Sequence, residues 1–243
     1  MLNFRKSNNP IVNEKKLREM SFDTTAYVPM TIQGAINKSY ILMGILLVTA
    51  LIGYSLPNSI FLIGGAIGGL VIVLIAVFKK EKSSVLAPLY AIVEGLFVGS
   101  ISAIYAMAYN GIVLQAIMLT IAMLIIMLVV YGSRWIKVTN KFRVGVIMAT
   151  GGVFVLYLLS FILGFFGINL PYIHENGTMG IILSLVIIGI ASLNLLLDFD
   201  NFEKGAQYKL PQYMEWFFAM SLLITLVWIY IEFLRLLAKL NRK

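Results

Sequence analysis

Seven long apolar segments fill the chain between about residues 39 and 238, and each is long enough to cross a membrane. A helix of about 20 residues spans a hydrocarbon core of about 30 Å. Only helices and closed barrels satisfy their backbone hydrogen bonds in lipid, and runs such as Ile121–Val130 lack the alternation of a barrel strand. The predicted spans are Ser39–Leu56, Ser59–Phe78, Val85–Met107, Ile112–Gly132, Val144–Phe166, Thr178–Asp198 and Tyr213–Ala238. The sequence therefore predicts an all-α integral membrane protein, a bundle of seven transmembrane helices.

Little of the chain is left outside these spans. Only 12% of the 243 residues are charged, about half the share found in a soluble domain. We expect three parts: a polar N-terminal segment at 1–38, too poor in apolar residues to form a core, the seven-helix domain at 39–238, and a basic C-terminal tail at 239–243. The chain has no cysteine, which excludes disulfides and thiolate metal sites.

The basic side chains follow the order of the predicted helices. Lys and Arg occur in the N-terminal segment and in the second, fourth and sixth connections, whereas the other three connections have none. By the positive-inside rule the N-terminus is cytoplasmic, and we expect a multi-pass protein of a bacterial plasma membrane. The net charge of +8 then reflects topology. We therefore expect the lipid bilayer, and not nucleic acid, as the partner.

A basic cluster at the C-terminus opposes this pattern. Its members are Arg235, Lys239, Arg242 and Lys243. Either seven full crossings place these residues outside, which we favour, or the seventh segment does not fully cross.

Glycine pairs spaced four residues apart occur in the second and third predicted helices. They are Gly64, Gly65, Gly68 and Gly69, followed by Gly95 and Gly99. Apolar burial does not drive helix association in lipid, whereas small residues let helices approach closely. We expect close helix contacts within one bundle, with a monomer favoured; a pore-lining or homo-oligomer role is the alternative.

Acidic side chains at membrane depth are the leading functional candidates. A charge near the bilayer centre costs about 2.5–3.5 kcal/mol, so such groups usually face the bundle interior. Glu94 is the deepest of them, and it either forms a structural hydrogen bond or handles ions or protons. Asp198 shares a helix face with Asn194, whereas Asp200 lies on another face. We expect Asp198 to handle ions or protons and keep Asp200 as a further candidate; a solvated helix end is the alternative for both.

The seventh predicted helix carries a polar stripe. Its members recur every three or four residues and are Ser221, Thr225, Trp228, Glu232, Arg235 and Lys239. Such a stripe predicts a helix that lies centrally or lines a wet path. Ser221, Thr225 and Asn194 are therefore candidates to line a pore. Glu232 is a candidate to handle ions, although its spacing from Arg235 also suits a simple ion pair.

The chemistry of common enzyme sites is missing from the sequence. The single histidine, His174, cannot form a usual zinc site without cysteine. There is no phosphate-binding glycine loop and no serine–histidine pair at membrane depth. We therefore expect no enzymatic activity and no resident cofactor.

Four segments together resemble the Bax inhibitor family, and specifically its bacterial YccA-like branch. They are Met30–Lys38, Tyr90–Gly99, Leu197–Glu203 and Glu215–Leu237. The resemblance spans nearly the whole chain from about residue 30. Their order and spacing carry the resemblance, since no single motif is decisive.

The resemblance implies a bundle with the last helix at its centre and a pH-sensitive calcium leak. In the family, two aspartates on the last two helices share a proton and gate the path. Asp198 matches the first of them, whereas Thr225 stands at the position of the second, so the pair is not intact here. Because Ca²⁺ needs several oxygen ligands, we expect Asp198 and Glu94 to bind it only transiently, as a permeant ion.

Two functions are consistent with this sequence. The first is a pH-sensitive calcium or cation leak channel that uses membrane-embedded carboxylates. The alternative is a membrane-embedded modulator or inhibitor of another membrane protein, such as a quality-control protease, which the polar segment at 1–38 favours.

Overall fold

The described part of the protein is a bundle of seven long helices. The structure is a computed structural model, and it describes residues 27–167 and 177–241, apart from the side chain of residue 165. The helices are α1 (Ile32–Ser55), α2 (Ser59–Phe78), α3 (Ser83–Ala108), α4 (Ile112–Gly132), α5 (Asn140–Phe165), α6 (Thr178–Gln207) and α7 (Tyr213–Asn241). Each is long and apolar enough to cross a membrane, which confirms the predicted fold class.

The helices agree with the predicted spans in number and place but differ at several ends. α2 and α4 match their predicted spans residue for residue. α1 begins at Ile32, ahead of the predicted Ser39, where the Thr31 hydroxyl accepts a hydrogen bond from the Gly34 amide (2.9 Å). α6 runs to Gln207, nine residues beyond the predicted Asp198, and many residues of this extension are buried. The apolar run ends before the helix does because neighbouring helices, not lipid, cover its last turns.

α7 lies at the centre of the bundle, as predicted. It buries 67% of its most apolar 18-residue stretch, whereas α5 buries 11%. α7 packs against α1, α3, α4 and α6, while α2 lies on the far side of α3 and α5 lies against α6. Most polar groups of α7 therefore lie against other helices.

Close backbone approach between α1 and α3 depends on glycine. A Cβ atom added at Gly95 would lie 2.6 Å from the Leu46 carbonyl oxygen and would also meet the Thr49 hydroxyl. A Cβ added at Gly99 would lie 2.7 Å from the Tyr54 amide nitrogen. The predicted close helix contact is thus present at both glycines of α3.

The glycines of α2 divide between two faces. A Cβ added at Gly65 or Gly69 would meet α3 at 2.5 Å from Phe97 Cβ and 2.7 Å from Glu94 Oε2, respectively. A Cβ added at Gly68 would lie 3.3 Å from Val93 of α3, whereas one at Gly64 would meet only its own helix. One face of the α2 glycine cluster therefore serves the α2–α3 contact.

A polar cluster fastens the start of α7 to the start of α1. The buried Glu215 carboxylate accepts from the Thr31 amide (2.8 Å) and pairs with the Lys38 ammonium. Gly34 leaves space for this carboxylate, because a Cβ there would overlap it. The Met30 amide also donates to the Leu210 carbonyl (2.7 Å). We call this end of the bundle, with the start of α1 and the α2–α3, α4–α5 and α6–α7 connections, the basic end.

We expect Gly95→Val to lower the melting temperature of the purified protein in detergent, with a cost of about 1–3 kcal/mol from overpacking. The new side chain would collide with the α1 backbone at Leu46. Gly145→Val on α5 is the matched control, because nothing lies within 4 Å of a Cβ at that position. Equal melting temperatures for the two variants would contradict the α1–α3 packing described above.

Candidate functional site

Asp198 is buried on α6 and is held by two hydroxyl groups of α7. Its exposed fraction is 4%. The Ser221 hydroxyl donates to Oδ1 (2.6 Å) and the Thr225 hydroxyl donates to Oδ2 (2.7 Å). Thr225 is the residue that the family resemblance aligned with the second aspartate. The two aligned positions therefore meet in space, with a hydroxyl where the resemblance would place a carboxyl.

This Asp198 cluster lies well inside the bundle. Asp198 is nine residues from the end of α6 at Gln207, which is about 14 Å along the helix axis. Thr225 is twelve residues from the start of α7, or about 18 Å. Both distances are measured from the basic end, so the cluster lies on that side of the bundle's middle.

Asn194 and Asn201 continue the polar face of α6 but bind α5 instead of α7. Asn194 donates to the Thr150 hydroxyl (2.8 Å), and Arg143 donates to the Asn201 side-chain oxygen (2.8 Å). This polar face of α6 thus contacts α7 at Asp198 and α5 on either side. Asn194 lies next to the Asp198 cluster without a hydrogen bond to it among the described contacts.

Asp200 belongs to an ion-pair network at the basic end. It pairs with Arg143 of α5 (2.5 Å) and with Lys204 one turn along α6 (2.7 Å). Nearby, Glu203 pairs with Arg134 (3.0 Å). These contacts join α6 to α5 and to the α4–α5 connection. The pairing with Arg143, 57 residues away in the sequence, has no signal in local spacing.

Glu94 faces an open cleft between α3, α5 and α7. The cleft has a volume of about 780 Å³. On α7 it extends from Ile224 to Arg235, about 16 Å of helix. Glu94 is 9% exposed, its polar neighbour is Tyr90 one turn away, and no basic side chain of the described residues forms an ion pair with it. Of the two acidic residues that line the cleft, Glu94 is therefore the one without an ion-pair partner.

Glu232 lines the same cleft but is paired. It is 1% exposed and accepts from the Tyr157 hydroxyl of α5 (2.8 Å) and from Arg235 (3.0 Å). The Arg235 guanidinium also lies 4.9 Å from the Tyr157 ring centroid. The predicted ion pair with Arg235 is therefore present. Tyr157 was not foreseen, because a tyrosine in an apolar helix gives no sequence signal of its partner.

Lys239 closes the polar stripe of α7 at the end opposite the basic end. Its buried ammonium donates to the Gly180 carbonyl (2.9 Å) and to the Ser184 hydroxyl (3.0 Å) at the start of α6. The predicted stripe therefore contacts α6 through Ser221, Thr225 and Lys239 and α5 through Glu232, whereas Trp228 lines the cleft. Ser102 and Tyr230, whose hydroxyls lie 2.7 Å apart, join α3 to α7 on another side and were not among the predicted site residues.

The structure brings the candidate acids into two groups. Asp198 lies with Ser221 and Thr225, whereas Glu94 and Glu232 share the cleft. No hydrogen bond or ion pair among the described residues joins Glu94 to Asp198, and residues 27–167 and 177–241 contain no group of three metal-ligating side chains. Transient calcium binding by Glu94 and Asp198 therefore stays a prediction. His174, residues 1–26 and the last two residues lie outside the described ranges.

Comparison with known protein families agrees with this architecture. A family model described as Bax inhibitor 1 like matches residues 8–242, which is nearly the whole chain and confirms the resemblance. A comparison with curated proteins finds no match. The assignment to a bacterial branch stays a prediction.

We expect Thr225→Val to lower the melting temperature of the detergent-solubilised protein. The change keeps the side-chain shape but removes one of the two donors to the buried Asp198 carboxyl, at a cost of about 1–3 kcal/mol. Thr120→Val on α4 is the matched control, because the Thr120 hydroxyl donates to the Ala116 carbonyl of its own helix. An equal fall in melting temperature in both variants would contradict a specific stabilising role of the Asp198–Thr225 hydrogen bond.

Proposed function

The chain belongs to the Bax inhibitor 1 like family of multi-pass membrane proteins, and we propose that it is a pH-sensitive leak pathway for cations, with calcium favoured. The observation that carries this proposal is the arrangement of acids along α7. The contacts of Asp198 begin at Ser221, the cleft with Glu94 begins at Ile224, and Glu232 lies further along the same helix. Asp198 and Glu94 lie about 14 and 17 Å from the basic end, and Glu232 lies further along α7. Carboxyl groups at two levels of an apolar bundle suit the stepwise passage of a cation.

The cleft supplies the wider part of the proposed route. Arg235 offsets the charge of Glu232, so Glu94 gives the cleft an excess of negative charge when it is ionised. In a low-dielectric environment this charge attracts cations strongly. The cleft reaches Glu94, eleven residues into α3, or about 17 Å along the helix, so a cation there has entered the middle of the bundle.

The Asp198 cluster supplies the narrow part of the route. Both carboxyl oxygens of Asp198 accept from α7 hydroxyls, and these contacts hold α6 and α7 together. A cation would pass by replacing the hydroxyl donors as the partner of Asp198, with the Ser221 and Thr225 oxygens then available as ligands, since Ca²⁺ binds such oxygen groups. Protons compete with cations for the same carboxylates, so we expect flux to fall as the pH falls.

Orientation follows from the distribution of basic residues. We place the basic end, and with it the N-terminus, in the cytoplasm, in agreement with the positive-inside rule, and the membrane is the plasma membrane of a bacterium. α7 has 29 residues, about 43 Å of helix, which favours seven full crossings with the C-terminus outside. The proposed route needs no enzymatic activity and no resident cofactor.

One observation favours the alternative function, a membrane-embedded modulator of another membrane protein. Residues just before α1 pair with the α6–α7 connection through the Gln212 amide and the Val28 carbonyl (2.9 Å). This pairing fixes the chain beside the start of α7, where a bound partner could act on the central helix. If the protein restrains another membrane protein, deletion of residues 1–26 should abolish that effect and spare ion flux.

The leak proposal predicts calcium entry into liposomes that contain the purified protein. We expect the entry rate, followed with a trapped dye, to fall between about pH 8 and pH 6 because protons occupy the carboxylates. Asp198→Asn and Glu94→Gln should each reduce the rate at about pH 8 by about tenfold, which corresponds to about 1.4 kcal/mol.

Glu81→Gln is the matched control for both variants, because Glu81 is exposed at the basic end, outside the cleft and the Asp198 cluster. Its flux should equal that of the wild type. Absence of flux at every pH would contradict the leak, and unchanged flux in both acid variants would contradict a route through these carboxylates.

A further inference from the structure

The cleft between α3, α5 and α7 has the size of a small-molecule site. Its volume of about 780 Å³ falls within the range of about 300–1,000 Å³ that is usual for such sites. It is open at one side: Phe161 on its α5 wall is 66% exposed, and Trp228 stays half-buried although it lies on the central helix. An apolar molecule could therefore enter from the surrounding lipid.

The walls of the cleft are largely aromatic and aliphatic. Tyr90 contributes from α3, Tyr157 and Phe161 from α5, and Trp228 with Ile231 from α7. Aromatic faces attract cations as well as apolar groups. The lining therefore suits an apolar body that carries a positive charge.

The charges on the walls leave one carboxyl group unmatched. Glu232 and Arg235 neutralise each other at 3.0 Å, and Tyr157 donates to Glu232. Glu94 has no basic partner among residues 27–167 and 177–241. Tyr90 is a hydrogen-bond partner of Glu94 but brings no positive charge. A buried carboxylate without an ion-pair partner is costly, so a ligand that brings a cation to Glu94 is favoured over a neutral or an anionic one.

We infer that this cleft binds a hydrophobic organic ammonium ion, with the ammonium group at Glu94 and the apolar body along Trp228 and Ile231. A lipid acyl chain would fill the apolar walls but would leave Glu94 unmatched. A bare metal ion would use Glu94 but would make no use of the apolar surface. This inference does not depend on ion conduction, because a binding site can exist in a protein that conducts nothing.

Quenching of Trp228 fluorescence by bromine-labelled ligands tests this site. The protein would carry Trp135→Phe and Trp216→Phe, which leave Trp228 as the single tryptophan, and would be reconstituted in lipid nanodiscs. The probes are 8-bromooctylamine, protonated at about pH 8, and its neutral counterpart 8-bromooctanol. We expect half-maximal quenching by the amine at a concentration at least about tenfold lower than by the alcohol.

Three variants separate charge recognition from a general apolar pocket. In Glu94→Gln, the concentrations of amine and alcohol that give half-maximal quenching should be nearly equal. Gly164→Leu should weaken quenching by both probes, because Gly164 lines the cleft with open space beside it, whereas Gly145→Leu on the same helix should change neither.

Equal quenching by both probes in the parent protein would overturn the inference and indicate a site for apolar chains. An unchanged preference in Glu94→Gln would overturn it as well. The readout is binding, so a protein that prefers the amine but passes no calcium would uphold this site and contradict the leak. A protein that passes calcium but shows no preference for the amine would uphold the leak and contradict this site.

Discussion

α7 is surrounded by other helices and yet carries charged side chains at both of its ends, so each of these groups needs a partner from a neighbour. Glu215 binds Lys38 and the start of α1, Glu232 binds Tyr157 and Arg235, and Lys239 binds the start of α6. An unpaired buried charge is strongly destabilising. Apolar burial cannot hold helices together in lipid, so these polar contacts and the glycine-dependent approach of α1 and α3 fix the position of α7.

Two buried acids form no ion pair with any described residue. Asp198 is held by hydroxyl groups, which offer hydrogen bonds but no positive charge, and Glu94 faces the cleft without a basic partner. Asp200 and Glu215, in contrast, each form ion pairs that join helices at the basic end. Because Asp198 and Glu94 have no ion-pair partner, their charge is available to a mobile ion or a ligand. This difference separates the candidate site from the structural ion pairs of Asp200 and Glu215.

The sequence is sufficient to predict the seven helices and the polar face of α7, because both depend on local periodicity. The apolar pattern places the start of α1 too late, because residues 32–38 of the polar segment continue the helix to its Thr31 cap. It places the end of α6 too early, because part of the extension beyond Asp198 is buried by neighbouring helices. The partners of the acids could not be predicted. Tyr157 and Glu232 are 75 residues apart, and the cleft exists only because α5 stands away from α3 beside the central helix. Neither feature has a local signal.

Labelling of single cysteines along α7 is the most direct test of the central claim, that the polar face of this helix borders a water-accessible route. The chain has no cysteine, so each substitution gives one reactive site for a membrane-impermeant maleimide. We predict labelling of Ile224→Cys, Trp228→Cys and Ile231→Cys, which line the cleft. Ile229→Cys, on the buried face, and Phe154→Cys, exposed on α5 outside the cleft, should stay unlabelled. Absence of labelling at the three cleft positions would show that lipid, not water, fills the cleft and would contradict the account.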